Sequence, residues 1–336
     1  MSMTLVEAAK ASNDKLQAGV VEKFVRDDPI LERMPFKELV GNGLSYYVET
    51  TESGAGNYAP GDTWLESTQV RAKLTSDLAI FGGDADVDNF IKATRSDTAD
   101  LMEEEIDAKI KATKKKFMDM FFYGYYNAGA GYDAKGFDGL HALIKSQAAA
   151  GGAAEIYDNT VSVANTSGTG YLLSLSQLEK GVDLIKGGKP DLMIMSKAMR
   201  RGINKYLNGV GGITKTDIMG KSVQTLFDAP VAVSDYLVDT EDATKDYGVG
   251  QFGFDYTVGT ALSTTSDAAG TIFIVKFANE GVCGLQRGLL SIEKFPKLES
   301  KDASRARIKW YASIMLQKII WASKVTGVLV AGVHTA

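Results

Sequence analysis

From Val40 to Phe90 the chain runs for roughly 50 residues without helical spacing of its apolar positions, and an amphipathic helix pattern then continues to Gly124. A β ribbon of that length buries too little surface to be stable alone, and compact domains seldom carry one. The feature predicts an arm that needs another subunit to lie on.

The rest of the composition narrows the possibilities. With 336 residues and 45% hydrophobic content, the chain can build one large or two medium domains around a substantial core. A net charge of -5 argues against a general nucleic-acid binder, so any contact with DNA must be weak and local. Cys283 is the sole cysteine, which excludes an internal disulfide, a Cys-rich zinc site and a CxxC redox pair, and fits a reducing cytoplasm. The first residues lack a basic start and an apolar run, so no signal peptide is expected. Lys318 and Lys324 interrupt the apolar stretches near the C-terminus, and none approaches the roughly 18 residues of a membrane span.

Along the chain, Thr4 is placed to cap a helix through Leu5, Ala8, Leu16, Val20 and Phe24, ended by Pro29 and Pro35. Glycines at 41, 43, 54, 56 and 61 punctuate β-forming segments such as Leu44-Ser-Tyr-Tyr-Val-Glu-Thr-Thr51, predicting a long hairpin with its tip near 54–62. Asp84, Asp86 and Asp88 sit where the two-residue pattern gives way to a helical one. Ile91, Met102, Ile106, Ile110, Phe117 and Phe121 then share one face of a helix predicted over 87–123. Its acids precede its lysines, in keeping with the helix dipole and with pairs such as Glu105–Lys109.

The small, polar, Gly-rich stretch 148–170 reads as the internal boundary. Beyond it, Ser176 is placed to cap a helix, Asp191-Leu-Met-Ile-Met195 reads as a buried strand, and Ser196 caps a further helix ending near Leu207. The segment 235–269 reads as an exposed loop region, followed by a strand from Thr271 to Phe277. Trp310, Ala312, Ile314 and Leu316 alternate with polar residues, the period of a long strand with one buried face. Helices and strands do not alternate regularly, so the fold class is α+β.

Apparent chemical motifs fail on context. Gly248-Val-Gly-Gln-Phe-Gly253 follows a polar loop and precedes a β-like segment, the reverse of a dinucleotide site, and Gly220-Lys-Ser222 has Lys215 where a phosphate-binding loop needs glycine. Asp84-Ala-Asp-Val-Asp88 resembles the start of a calcium loop, but Asn89 and Arg95 occupy its glycine and glutamate positions, leaving a solvated helix cap as the reading. Of the two histidines, His334 lies three residues from the end and His141 is expected on a helix surface, with no G-x-S-x-G elbow to pair with. No cofactor, metal or catalytic residue is therefore assigned.

Several segments nevertheless resemble the major capsid proteins of tailed bacteriophages: Leu5-Val-Glu-Ala-Ala-Lys10 with Leu31-Glu-Arg-Met-Pro-Phe36, the ribbon-then-helix order, and Phe137-Asp-Gly-Leu140. So do Pro190-Asp-Leu-Met-Ile-Met-Ser196, Gly220-Lys-Ser-Val223 with Ala229-Pro-Val-Ala-Val-Ser-Asp235, Gly284-Leu-Gln286 and Trp310-Tyr311. The resemblance implies a Hong Kong 97-like fold with an N-terminal arm (1–40), an extended loop (41–85), a peripheral domain with a spine helix (86–165 and 286–336) and an axial domain (166–285). It further implies a structural, non-enzymatic protein whose hexamers and pentamers form an icosahedral phage head around double-stranded DNA, assembled in the host cytoplasm with a portal. The chain opens directly into what resembles the arm, so a separate scaffolding protein is expected. A shell of the same fold holding a cargo enzyme, as in encapsulins, is the alternative. Tyr58, Trp64 and Leu65 near the ribbon tip are candidate anchors on a neighbouring subunit. Lys73 lies where some relatives form a covalent cross-link, but no motif identifies a partner, and none is assigned.

Overall fold

The computed structural model describes residues 2–4, 28–51, 53–94, 101–124, 126, 135–144, 159–163, 172–186, 188–210, 214–218, 221–239 and 269–329. The expected helix from Leu5 to Phe24, the segment 248–253 and His334 lie outside them.

The first sheet is organised by the longest strand. Strands β1 (Ser2–Thr4) and β2 (Pro35–Glu38) lead in, with helix α1 (Pro29–Arg33) between them. The ribbon follows as β3 (Gly43–Thr51) and β4 (Val70–Asp77), and then β5 (Ala79–Asp88). Near the C-terminus, β12 (Val282–Gln286) and β13 (Ser291–Phe295) pair one after the other along one edge of β14 (Ala303–Leu316), and β5 pairs along its other edge. β2 joins parallel to β12, and β1 antiparallel to β2. The predicted alternation of β14 is present: Ala306, Ile308, Trp310 and Ala312 are buried against helix, while Arg305, Arg307 and Lys309 face the other way.

That buried face is covered by α3 (Leu101–Tyr123), which follows the short α2 (Asn89–Thr94). Met102, Ile106, Ile110, Phe117 and Phe121 are buried as the spacing predicted, but Ile91 remains exposed. An aromatic cluster welds helix to sheet: Phe117 lies 4.6 Å from Trp310 and 5.6 Å from Phe81, centroid to centroid. Such pairs contribute roughly 0.5–1.5 kcal/mol each beyond the area they bury. The end of α3 is closed by the Phe137-Asp-Gly-Leu140 motif. Gly139 N–H donates to Gly124 O, Tyr126 N–H donates to the Asp138 carboxylate, and a Cβ on Gly139 would sit 2.4 Å from Met120 O. Only glycine permits that approach.

The second sheet has seven strands in the order β6-β15-β11-β7-β10-β9-β8. They are β6 (Thr160–Ser162), β7 (Leu192–Met195), β8 (Thr214–Ile218), β9 (Lys221–Leu226), β10 (Ala229–Val233), β11 (Ala269–Val275) and β15 (Ala322–Leu329). Helices α4 (Leu175–Asp183) and α5 (Lys197–Val210) pack on it through Leu178, Met199 and Ile203, which share a core with Met193, Met195, Ile272, Ile274 and Val325. β7 is buried at every position, as a run of four apolar residues between two neighbours should be. Residues 286–329 divide between the sheets, β13 and β14 in the first and β15 in the second. Among the described residues no helix is long and apolar enough to cross a membrane.

Several local expectations are corrected. Thr4 pairs with Pro35 at the end of β1, the helix it was expected to cap lies outside the described residues, and Pro29 itself starts α1 behind an Asp28 cap. Proline suits a first helical position, where its missing N–H would be unpaired anyway. The cap of α4 is Ser174, in a capping box with Gln177, and not Ser176. Ser196 does cap α5, accepting from Met199 N–H at 3.2 Å. Val87 belongs to β5 and not to the helix, the last turn of α3 carries no base, and no ion pair forms between Glu105 and Lys109 among the described residues. Residues 160–162, inside the stretch read as a linker, form β6 beside β15.

Candidate assembly surface

The ribbon leaves the body after Val40 and returns at Leu78, whose N–H donates to Asn42 O. Its pairing runs from Gly43–Asp77 to Thr51–Val70, with an irregularity between Glu49 and Thr51. The projecting part is therefore shorter than the 40–90 expected, because β5 pairs with β14 over ten consecutive positions from Ala79 to Asp88. Tyr46 and Ser76 point inward at the root, where Tyr46 joins Leu39, Cys283, Leu285 and Met315 in a small core. Cys283 is buried there, and burial pushes its thiol up to about 11. Tyr47 and Lys73, directly opposite each other, face outward and are exposed.

Beyond Thr51 the tip is organised by its own turn and not by strand pairing. Asp62 N–H donates to Ala59 O at 3.1 Å, and the Asp62 carboxylate accepts from Ala59 N–H at 2.7 Å. Pro60 and Gly61, the latter at φ +96°, occupy the two central positions of that turn, as a type II geometry requires. Tyr58 stacks on Trp64 at 4.5 Å, and its hydroxyl accepts from Leu65 N–H at 3.1 Å. The structure thus brings Tyr58, Trp64 and Leu65 together, while Lys73 lies on β4 away from them. The stack does not bury them: Trp64 is 78% and Leu65 81% exposed.

A second feature lies on the face of the first sheet opposite α3. Asp84 is register partner to Arg307, and Asp86 to Arg305. Each arginine makes two hydrogen bonds to its partner carboxylate: 2.7 and 2.8 Å for Arg307, 2.6 and 2.8 Å for Arg305. Lys301 also contacts Asp86, and Lys309 binds Glu293 at 2.6 Å. The hydrogen bonds from Arg307 hold Asp84, and those from Arg305 and then Lys301 hold Asp86, below the usual carboxylate range. Of the three aspartates read as a helix cap, only Asp88 acts as one, accepting from Phe90 N–H at 2.8 Å. The sequence signal for the ladder is the matching alternation of Asp84-Ala-Asp-Val-Asp88 and Arg305-Ala-Arg-Ile-Lys309. At the ribbon end of this face Ile80 stands opposite Tyr311, both exposed.

The histidine and the glycine–lysine–serine motif take structural positions. His141 is fully buried and not on a helix surface, stacked on Tyr123 at 5.3 Å and edge-on to Phe273 at 4.7 Å. Lys221 and Ser222 begin strand β9, where a phosphate-binding loop would begin a helix. Among the described residues no three His, Cys, Asp or Glu side chains are grouped to hold a metal.

A family model described as SU10 major capsid protein matches residues 52–250, more than half of the chain. Among solved structures, the fold is similar to the SrpI encapsulin of Synechococcus elongatus PCC 7942, with a TM-score of 0.59 at 13% identity over 91% of this chain and 89% of that one. It is also similar to Microbacterium phage Oxtober96, with a TM-score of 0.54 at 10% identity over 90% of each chain. The capsid of the native GTA particle gives 0.52 at 10% identity over 87% of each. No curated protein sequence matches this chain.

Proposed function

The chain belongs to the SU10 major capsid protein family, and on that premise we propose that its copies form hexamers and pentamers tiling an icosahedral phage head around double-stranded DNA. The protein is a structural component of a capsid built from many copies, with a Hong Kong 97-like fold. We read it as having no catalytic role, its hydrogen-bonding and packing groups serving assembly. A separate scaffolding protein, a portal and assembly in the host cytoplasm complete the reading.

The observation that carries the mechanism is the tip, where Trp64 and Leu65 stand exposed at the far end of an arm whose root packs on the body through Tyr46. Burying a large apolar side chain is worth about 1.5–3 kcal/mol. In this reading, a neighbour's peripheral domain supplies that burial, with Tyr58 holding Trp64 in position. The proposed division is arm (1–40), extended loop (41–85), peripheral domain (86–165 and 286–336) and axial domain (166–285); β7 to β11 fall in the axial segment, whereas β6 and β15 of the same sheet come from the peripheral segments. No cross-link is assigned to Lys73.

The test is electron microscopy of particles formed by the expressed chain with and without its co-expressed scaffold, together with analysis of their contents. Angular shells carrying DNA in the complete phage system are expected. Particles that hold a protein cargo and exclude DNA would assign the encapsulin-like role instead, a role the structural likeness alone does not decide because it reports only the fold. A stable monomer under all assembly conditions would overturn both.

A further inference from the structure

A cleft of about 670 Å3 opens between α3 and the start of α5. Two cations from each helix line it, Lys111 and Lys114 from α3 and Lys197 and Arg200 from α5, in each case three residues apart and so on one helical face. Lys197 is neutralised by Asp235 at 2.6 Å. The side chains of Lys111, Lys114 and Arg200 form no hydrogen bond or ion pair among the described residues.

Among the described residues, no carboxylate of the cleft hydrogen-bonds or ion-pairs with Lys111, Lys114 or Arg200. Asp235 is held by Lys197. Asp28 is 6% exposed, and its carboxylate caps α1 by accepting Ile30 N–H at 3.0 Å. Burial raises its pKa, against the smaller opposing effects of the Ile30 N–H and of Lys114. Asp107 stands beside Ile110 in the same wall. Four cations and three carboxylates thus line a concave space on a chain whose net charge is -5.

We propose that this cleft is a phosphate-binding site, with Lys111, Lys114 and Arg200 contacting the backbone of the enclosed nucleic acid. The nucleic-acid part rests on the reading of the shell as a DNA container. A carboxylate offers two oxygens in one plane and is satisfied by a single guanidinium fork, whereas cations on two separate helices, with no ion-pair partner among the described residues, suit an anion that presents charge in several directions. On an acidic protein, such a site is the kind of local contact that permits DNA binding without a general basic surface.

The test uses the full-length chain before assembly, a fluorescent 20-base-pair duplex, inorganic phosphate and a poly-glutamate peptide. Replacing Lys111, Lys114 and Arg200 together by Ala is expected to weaken duplex binding at least tenfold at low salt. It should also flatten the dependence of log affinity on log salt by roughly two to three, at about 0.9 for each phosphate no longer neutralised. Replacing the exposed Lys180, Lys294 and Lys297 should change affinity less than twofold, and inorganic phosphate should compete with the duplex on the wild-type chain. Lys111→Arg with Lys114→Arg, which keeps the charge, should retain binding and guards against a folding defect in the triple variant. Equal loss in both triple variants, no loss in the cleft variant, or tighter binding of poly-glutamate than of duplex would overturn the proposal. Phosphate binding without duplex binding would assign the site to a free ion and overturn the nucleic-acid part. The two readings fail separately: DNA-free particles whose subunits still bind duplex through the cleft would remove the container reading alone. DNA-filled particles with an inert cleft would remove this one alone.

Discussion

The hydroxyls of Ser76 and Ser313 meet at 3.0 Å beneath the root of the ribbon, on strands separated by 237 positions in sequence. The Ser76 hydroxyl also lies 2.7 Å from Ile314 O, a carbonyl that the Ser313 hydroxyl approaches at 3.5 Å. Both side chains are buried, and the pair ties the arm to the longest strand of the body.

Ser76→Ala leaves the Ser313 hydroxyl without that partner in a buried setting. It should lower stability by about 1–3 kcal/mol in denaturant unfolding. The double variant Ser76→Ala/Ser313→Ala should cost less than the sum of the two single variants, because the two residues share one interaction. Strict additivity would show that the pair is not coupled.

Trp64→Ala should leave the unfolding transition of the isolated subunit within about 0.5 kcal/mol, as expected for an exposed residue. Assembly should respond differently. A weakening of about 2 kcal/mol at each interface, ordinary for a central interface aromatic, raises the concentration needed for assembly roughly 30-fold. Light scattering and particle yield measure it, and normal yield at wild-type concentration would remove Trp64 from the interface.

Asp84 and Asp86 carry folded-state pKa values depressed by the guanidinium groups of Arg307 and Arg305. A depressed carboxylate stabilises the fold fully above its unfolded pKa of about 3.9, and that contribution disappears as pH falls through the folded value. Stability should therefore drop below about pH 4, and Asp84→Asn/Asp86→Asn should make the acid limb shallower. The side chains are 31% and 23% exposed, so the effect is smaller than that of a buried pair. An unchanged acid limb in the double variant would show that other groups govern acid unfolding.

Gly139→Ala forces a Cβ to within 2.4 Å of Met120 O and 2.7 Å of Gly124 N. The end of α3 would have to shift, at a cost of about 1–3 kcal/mol or more in thermal or denaturant unfolding. Gly288→Ala is not an equivalent control, because Gly288 has a positive φ of 72°. Gly83→Ala is a suitable one, since the nearest atom to its Cβ would be a flexible lysine carbon 3.7 Å away.

Much of the candidate assembly surface was legible in short-range pattern. The glycine-punctuated ribbon, the clustering of Tyr58, Trp64 and Leu65 near its tip, and the one-sided β14 all follow from local spacing, because alternation and turn chemistry are set within a few residues. The Arg305–Asp86 and Arg307–Asp84 ladder was not read, although both alternations are visible in the chain. Each pattern specifies a face and neither specifies its partner, which lies 219 and 223 positions away. His141 was misplaced for a related reason. Its short helical segment is covered by Tyr123 and Phe273, which approach only in the folded chain.

The sequence by itself determined a projecting arm, a long amphipathic helix and a strand with one buried face, since these depend on residue periods of two and of three to four. Only the tertiary structure decided that β5 joins β14 in the body and shortens the arm, that Ser76 meets Ser313, and that Lys111 and Arg200 face one cleft. Those outcomes depend on which distant segments lie side by side. Chain entropy opposes every such pairing, and it is offset by the burial of both partners together, a property that no single segment possesses.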